Sequence, residues 1–337
     1  MYAPEQVAPL LEAALSRKFG HAVQVAELAR LTGGATKLTY RFTAELDGPR
    51  QSFILQLTPT SKAVDPTAGI TPRISGSEDA AITMAAGELG VKVPPVRYVM
   101  APPDGLGAGY VTGFVEGETL GPRLLREEKY AQARAVLASQ CGVALAAIHR
   151  LDRARLPFLL VQDALAQVRS YRRIVEHYRR RLPALELGLR WAEDNAPRDV
   201  RLTVVHGDFR LGNFIVDQDG LAAVLDWEVA QICDPMQDLG WLCVKTWRFG
   251  GPQPVGGFGA REDLFAAYER AGGGAVDPRH VLFWEAFGCI KWSIMCLRKG
   301  LRYTDRTEDI SIEQSAIGRR VEEPLWDFLN LIEGRVA

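Results

Sequence analysis

At 337 residues with 47% apolar content, the chain suits either a single two-lobed unit or two compact domains, with a substantial buried core. Its 24% charged residues nearly cancel, leaving a formal charge of -1, which excludes a disordered polyelectrolyte and gives no sign of a nucleic-acid-coating surface. The five cysteines, Cys141, Cys233, Cys243, Cys289 and Cys296, are scattered and contain no CxxC pair, so a reducing cytosol is expected rather than a disulfide scaffold or a zinc ribbon.

The first stretch, Glu5 to Lys18, spaces Val7, Leu10, Leu11 and Leu15 at helical intervals, with Gly20 behind it as the C-terminal cap. It has no basic region leading into a long apolar run, and no run along the chain approaches the ~18 to 20 residues of a membrane span, so neither secretion nor a membrane partner is expected. The period then changes to that of strands over Val23 to Ala29, Leu38 to Leu46 and Ser52 to Leu57. Gly33-Gly34 and Asp47-Gly48-Pro49 make the connections, which predicts an antiparallel meander. A helix over Glu78 to Leu89 follows, then Pro94-Pro95 and two more strands, Val96 to Met100 and Tyr110 to Val115.

Beyond Gly117 the pattern is mainly helical: Ala131 to His149 carries Val136, Leu137, Cys141, Leu145 and Ile148 on one stripe, and further helices are predicted near 162–181, 184–195, 261–271 and 279–298. The helical portion is interrupted by three short strand-like runs, Thr203 to Val205, Phe214 to Val216 and Ala222 to Leu225, the last two joined by a turn at Gln218-Asp219-Gly220. The glycine-rich stretch 249–259 reads as a surface loop. The fold class is therefore α+β, with a small β-rich lobe over 1–115 and a larger helical lobe over 116–337.

Several chemistries are excluded by what the sequence lacks. Gly105-Leu106-Gly107-Ala108-Gly109 has the wrong spacing for a dinucleotide fingerprint and precedes a strand, so it reads as a hairpin loop. There is no GxxxxGK[ST], HExxH or GxSxG, and the histidines outside the segment described next lack metal-ligand spacing.

One segment concentrates polar residues: His206-Gly207-Asp208-Phe209-Arg210-Leu211-Gly212-Asn213, a hairpin, and then Leu225-Asp226-Trp227-Glu228. Asp208, on a tight loop after an apolar strand, is placed to accept a hydroxyl proton, and Asn213 five positions on can offer an amide oxygen to a metal. A hairpin would return Asp226 to the side of Asn213, giving two hard oxygen donors for one Mg²⁺.

HGDFRLGN followed by LDWE, and then Asp234-Pro235 and Asp238-Leu239, resembles the aminoglycoside phosphotransferase family. The resemblance, over nearly the whole chain from about Val25, implies a bilobal protein-kinase-like fold and ATP- and Mg²⁺-dependent phosphoryl transfer to a hydroxyl of a small molecule. By position it implies Asp208 as catalytic base, Asn213 and Asp226 as Mg²⁺ ligands and His206 as a scaffold of the loop. Arg210 either neutralises γ-phosphate charge or fixes the loop by a salt bridge, and Glu228 either contacts metal-bound water or is a solvated acid. Asp234 reads as a helix cap and Asp238 as a brace under the catalytic loop.

On the nucleotide side, the resemblance puts the Gly33-Gly34 turn and the Thr36 hydroxyl over the ATP phosphates, and the Thr112 to Val115 backbone, with Thr112 and Phe114, along the adenine edge. Family members carry Lys or Arg on the third strand to grip the α- and β-phosphates, whereas Phe53-Ile54-Leu55-Gln56-Leu57 puts Gln56 there. A neutral amide does not replace that charge: a nearby cation such as Lys37 or Arg41 substitutes, or nucleotide binding is weaker, or the chain is a binding module without turnover. Glu78, with Asp79 beside it, matches the helix acid that pairs with the usual lysine.

The long helices before the catalytic loop, including Trp191, and the LDWE variant look most like the phosphotransferase domains found with acyl-CoA dehydrogenases, which points to a neutral or anionic acceptor such as a hydroxy acid or hydroxyacyl compound. An aminoglycoside would need an acidic cleft, and the C-terminal helices mix Glu285 with Lys291, Arg298 and Arg302. Trp284, Phe287, Trp292 and Met295 read as core more than as pocket. The oligomeric state is left open by the sequence.

Overall fold

The structure, a computed structural model, describes residues 3–31, 37–58, 70–304 and 312–335. The N-terminal part is α1 (Pro4–Phe19), β1 (Ala26–Leu31), β2 (Leu38–Ala44), β3 (Gln51–Leu57), α2 (Gly76–Glu88), β4 (Val96–Val99) and β5 (Gly109–Gly113). Its strands form one antiparallel sheet in the order β1-β2-β3-β5-β4, the meander expected from the turn residues with β5 inserted beside β3. Strand side chains alternate between faces, so Tyr40, Phe42, Phe53 and Leu55 turn inward and are fully buried with Val7, Leu11 and Leu15 of α1. The same alternation delivers Thr39, Ile54 and Gln56 to the opposite face, where they line a cleft.

Among the boundaries that differ from the sequence reading, two have a cause in side-chain hydrogen bonds. Val23 and Val25 keep the apolar alternation of a strand, but their N–H groups donate to Ser16 Oγ and Glu12 Oε1 of α1, so β1 begins only at Ala26. A bulge between Ala26 and Ala29, with Glu27 at φ 54°, marks the change. Helix α2 starts two residues before Glu78, because Ser75 and Glu78 form a reciprocal capping box: Ser75 N–H donates to Glu78 Oε2 at 2.6 Å.

The C-terminal part is α3 (Gly121–Arg126), α4 (Ala131–Ile148), α5 (Ala164–Tyr178), α6 (Pro183–Asn195), β6 (Thr203–Val205), β7 (Phe214–Asp217), β8 (Gly220–Val224), β9 (Gln231–Cys233), α7 (Met236–Cys243), α8 (Arg261–Arg270), α9 (Pro278–Thr304), α10 (Ile312–Ala316) and α11 (Glu322–Ile332). Its four strands form two antiparallel pairs, β7-β8 and β6-β9. Helices α4 and α8, and α7 and α9, approach closely because glycine stands at each crossing: a Cβ on Gly240 would lie 2.6 Å from Trp284 Cβ and 2.7 Å from the Val281 carbonyl oxygen. Trp284 and Phe287 are core residues, as their helical spacing predicts.

The glycine-rich stretch 249–259 is not a surface loop. Val255 is fully buried and Phe258 nearly so, and the glycines let backbone pass backbone: a Cβ on Gly251 would lie 2.5 Å from the Gly257 carbonyl oxygen. The sequence reading also understated one apolar run. Glu128–Ile148 is long and apolar enough to cross a membrane by length and composition, yet α4 within it packs against α8 and β8, with Leu137, Cys141, Leu145 and Ile148 buried.

Candidate active site

The loop between β6 and β7 is held from below. Asp238 of α7 is fully buried; its Oδ2 accepts the His206 N–H at 2.7 Å and its Oδ1 the Gly207 N–H at 2.8 Å. His149, the C-cap residue after α4, donates to the same carboxylate through Nε2 at 3.2 Å and accepts from the Tyr268 hydroxyl at Nδ1. Burial pushes the Asp238 carboxyl up, but the His149 hydrogen bond and the backbone donors outweigh it and hold the group below the usual carboxylate range. Asp238 is thus the brace the sequence implied. Gly207 sits at φ 79°, and a Cβ there would lie 2.5 Å from the Val229 carbonyl oxygen, so the loop can turn only at glycine. Asp234 accepts the Met236 N–H at the start of α7 and the Trp284 indole N–H, each within 2.9 Å, the capping role its position suggested.

His206 ties the two halves of the segment together: its Nε2–H donates to the Leu225 carbonyl at 3.0 Å, and its Nδ1 accepts from the Asp208 N–H at 3.3 Å. The Asp208 carboxylate is 23% exposed and surrounded by donors. Oδ1 accepts from Arg210 Nε at 2.9 Å and from Trp241 Nε1 at 2.8 Å, and Oδ2 accepts from Asn213 Nδ2 at 2.7 Å. Burial raises the Asp208 carboxyl, yet the positive charges of Arg210 and Lys291 and these hydrogen bonds prevail and hold it ionised, below its ordinary value. Arg210 also donates to the Leu211 carbonyl and lies 4.3 Å over the Trp247 ring, so of its two readings the loop-fixing salt bridge is the one present in this structure. Lys291 of α9 donates to the Gly207 carbonyl at 3.0 Å and stacks over Trp241.

The β7-β8 hairpin returns the chain as expected: Phe214 pairs with Val224, and the Leu225 N–H donates to the Asn213 carbonyl at 2.8 Å. Asp226, the next residue, therefore stands beside Asn213. It has φ 65°, a left-handed conformation that non-glycine residues seldom adopt and that aspartate tolerates better than most. The Asn213 amide nitrogen is committed to Asp208, which leaves its oxygen and the Asp226 carboxylate as neighbouring hard donors. Mg²⁺ commonly takes one or two protein oxygens and completes its shell with phosphate and water, so this donor set fits the ion.

Asp226 also lines the cleft of about 300 Å³ between the sheet and the β7-β8 hairpin, together with Ile54, Gln56, Thr112, Phe114 and Ile215. Gln56, Thr112 and Phe114, which the resemblance assigned to the nucleotide, thus line one cleft. Gly33, Gly34 and Thr36 lie outside the described residues. Glu78 is taken up by its capping box, and the α2 acid that pairs with a lysine is Asp79, the neighbour that the sequence offered second. Asp79 accepts from the Tyr110 hydroxyl at 2.8 Å and is ion-paired with Lys37, whose Nζ lies 2.8 Å from Asp226 as well. Burial alone would lower the Lys37 pKa, but the two carboxylates more than compensate and raise it, so the ammonium is retained.

Sequence reasoning missed Trp241. Its only signal was position, three residues after Asp238 and so one helical turn along the same face of α7.

A model of the phosphotransferase enzyme family known as APH matches residues 27–279, three quarters of the chain, and the chain belongs to that family. The enzyme class this defines is a phosphotransferase with a hydroxyl acceptor on a kinase-like α+β fold. Among solved structures, one assigned to the aminoglycoside phosphotransferases of Ralstonia eutropha JMP134 superposes with a TM-score of 0.69 at 19% identity, covering 95% of this chain and 97% of that one. A choline/ethanolamine kinase family protein from Mesorhizobium loti gives 0.62 at 20% identity, covering 97% and 95%. A spectinomycin phosphotransferase, solved with ADP and spectinomycin, gives 0.62 at 12% identity, covering 98% of each chain. Among curated proteins, Acyl-CoA dehydrogenase family member 10 of Mus musculus is 42% identical over 65 residues, 19% of this chain and only 6% of that protein's length.

Proposed function

We propose that the protein transfers the γ-phosphoryl group of ATP, with Mg²⁺, to a hydroxyl of a small anionic metabolite such as a hydroxy acid or hydroxyacyl compound, in a reducing cytosol. The observation that carries this reading is the junction of Asp208, Asn213 and Asp226: Asn213 donates to Asp208 through its amide and is bonded through its carbonyl to the residue before Asp226. Asp208 takes the proton of the acceptor hydroxyl as the new oxygen–phosphorus bond forms, while the bond from the β–γ bridging oxygen breaks and leaves ADP. Arg210 and Trp241 hold the carboxylate in place for this, and Asn213 and Asp226 would hold the metal. When bound, Mg²⁺ supplies neutralisation of the phosphate charge.

The charges around Asp208 support an anionic acceptor. Arg210 and Lys291 both act on the carboxylate, whereas Glu285, an acid that a polycationic drug would need, is buried with Arg248 at 3.2 Å and Arg261 at 2.7 Å. The five free, buried thiols agree with a reducing compartment.

A radiolabelled-ATP transfer assay with Mg²⁺ over hydroxy acids, hydroxyacyl thioesters, sugar alcohols and aminoglycosides tests the reading, with Asp208→Asn as control. Transfer to an anionic hydroxyl compound is expected, and kcat falls on the order of 10²- to 10⁴-fold in the variant. Transfer to aminoglycosides alone would sink the acceptor class. A wild type no more active than Asp208→Asn, yet still binding ATP, would establish instead the binding module that neutral Gln56 favours.

A further inference from the structure

The cleft poses a charge problem that the site described so far leaves unanswered. A nucleotide triphosphate carries several negative charges, and the strand position facing it on β3 is the neutral Gln56. Of the two cations on β2 or beside it, Arg41 is exposed, donates to Ser52 Oγ at 3.1 Å and lies over the Phe114 ring at the rim. Lys37, one residue ahead of β2, has a side chain only 10% exposed and reaches inward. Odd-numbered residues of β2 share one face, and Thr39 is the register partner of Gln56. Lys37, one residue ahead of the strand, is therefore the diagonal neighbour of Gln56, about 7 to 8 Å away at the backbone.

Its partners fix the position of Nζ. Asp79 on α2 and Asp226 after β8 both contact Nζ, and Tyr110 of β5 holds the other oxygen of Asp79. The ammonium is thus held between two elements, beside the cleft that Tyr110 and Asp226 line. A lysine on a surface pairs with one acid and remains wet; a nearly buried one paired with a residue that lines a cleft is placed to meet a negative ligand group there.

We propose that Lys37 is the cation that grips the phosphates of the bound nucleotide, with Asp79 as its positioning residue, so that β2 supplies the charge that β3 lacks. This rests on the reading of the cleft as a nucleotide site. The consequence is positional: the charge can be moved to residue 56 without leaving the site.

Titration calorimetry on the whole chain, with ATP and with adenosine, tests it for wild type, Lys37→Met and the double variant Lys37→Met/Gln56→Lys. Lys37→Met should bind ATP at least tenfold more weakly and adenosine unchanged, and the double variant should recover most of the ATP affinity. The double variant also restores the charge opposite Asp79 and Asp226, which keeps the test valid if Lys37→Met folds poorly. A folded Lys37→Met that binds ATP like wild type would overturn the inference alone. Equal losses for ATP and adenosine, or a folded double variant that still discriminates against ATP, would do the same by showing that the ion pair only supports the cleft. A wild type that binds neither ligand would remove the nucleotide reading together with the inference.

Discussion

Replacing Asp238 by Asn tests whether one buried carboxylate holds the catalytic loop. The best amide orientation keeps an acceptor oxygen toward His206 N–H and His149, at 2.7 and 3.2 Å, and turns an NH₂ group against the Gly207 N–H that Asp238 now accepts at 2.8 Å. One charge-assisted bond is lost, at about 1.5 to 3 kcal/mol, and two more lose their charge, so about 2 to 4 kcal/mol of stability should disappear, out of roughly 5 to 15 for a typical domain. Urea unfolding at neutral pH should show the lower midpoint with an unchanged slope. The pH dependence provides a second arm. Because the folded Asp238 carboxyl lies below its unfolded value, its contribution is complete above about pH 4 and fades as pH falls through the folded value. The gap between wild type and Asp238→Asn should accordingly narrow on acidification. A gap under about 0.5 kcal/mol at neutral pH, or one that widens in acid, would refute the bracing argument.

Trp241→Phe removes a single donor to Asp208 Oδ1 while keeping the ring that Lys291 covers; kcat should drop about tenfold with ATP affinity unchanged, and a matching loss in ATP affinity would contradict that assignment. Gly240→Ala puts a methyl 2.6 Å from Trp284 Cβ, forcing α7 from α9 at about 1 to 3 kcal/mol, measured as a lower melting temperature. Since α7 carries both Asp238 and Trp241, transfer should fall in the same variant even well below its melting temperature.

Much of the site was legible because its spacing is local. His206, Asp208 and Asn213 occupy one loop, and the Asp219-Gly220 turn fixes where Asp226 returns. What the sequence could not decide depended on how side chains leave the backbone. Glu78 and Asp79 are adjacent on a helix and so point about 100° apart; only the capping box and the Lys37 ion pair show which one meets the lysine. Arg210 had two chemically equal roles until Trp247 and Asp208 were seen on either side of it. The buried glycines of 249–259 misled because composition records flexibility and close backbone packing alike. Val23 and Val25 misled for a related reason: a strand's alternation says nothing about whether a helix side chain has already taken the N–H groups.

Helix α9 contributes Trp284 to Asp234, Glu285 to two arginines and Lys291 to the Gly207 carbonyl, all from one continuous run. A one-residue insertion between Trp284 and Lys291 would twist everything downstream by about 100°, detaching the ammonium from the loop while the tryptophan stayed docked. Length variation among descendants of this gene should therefore be filtered at that spot to whole pairs of turns, about seven residues at a time.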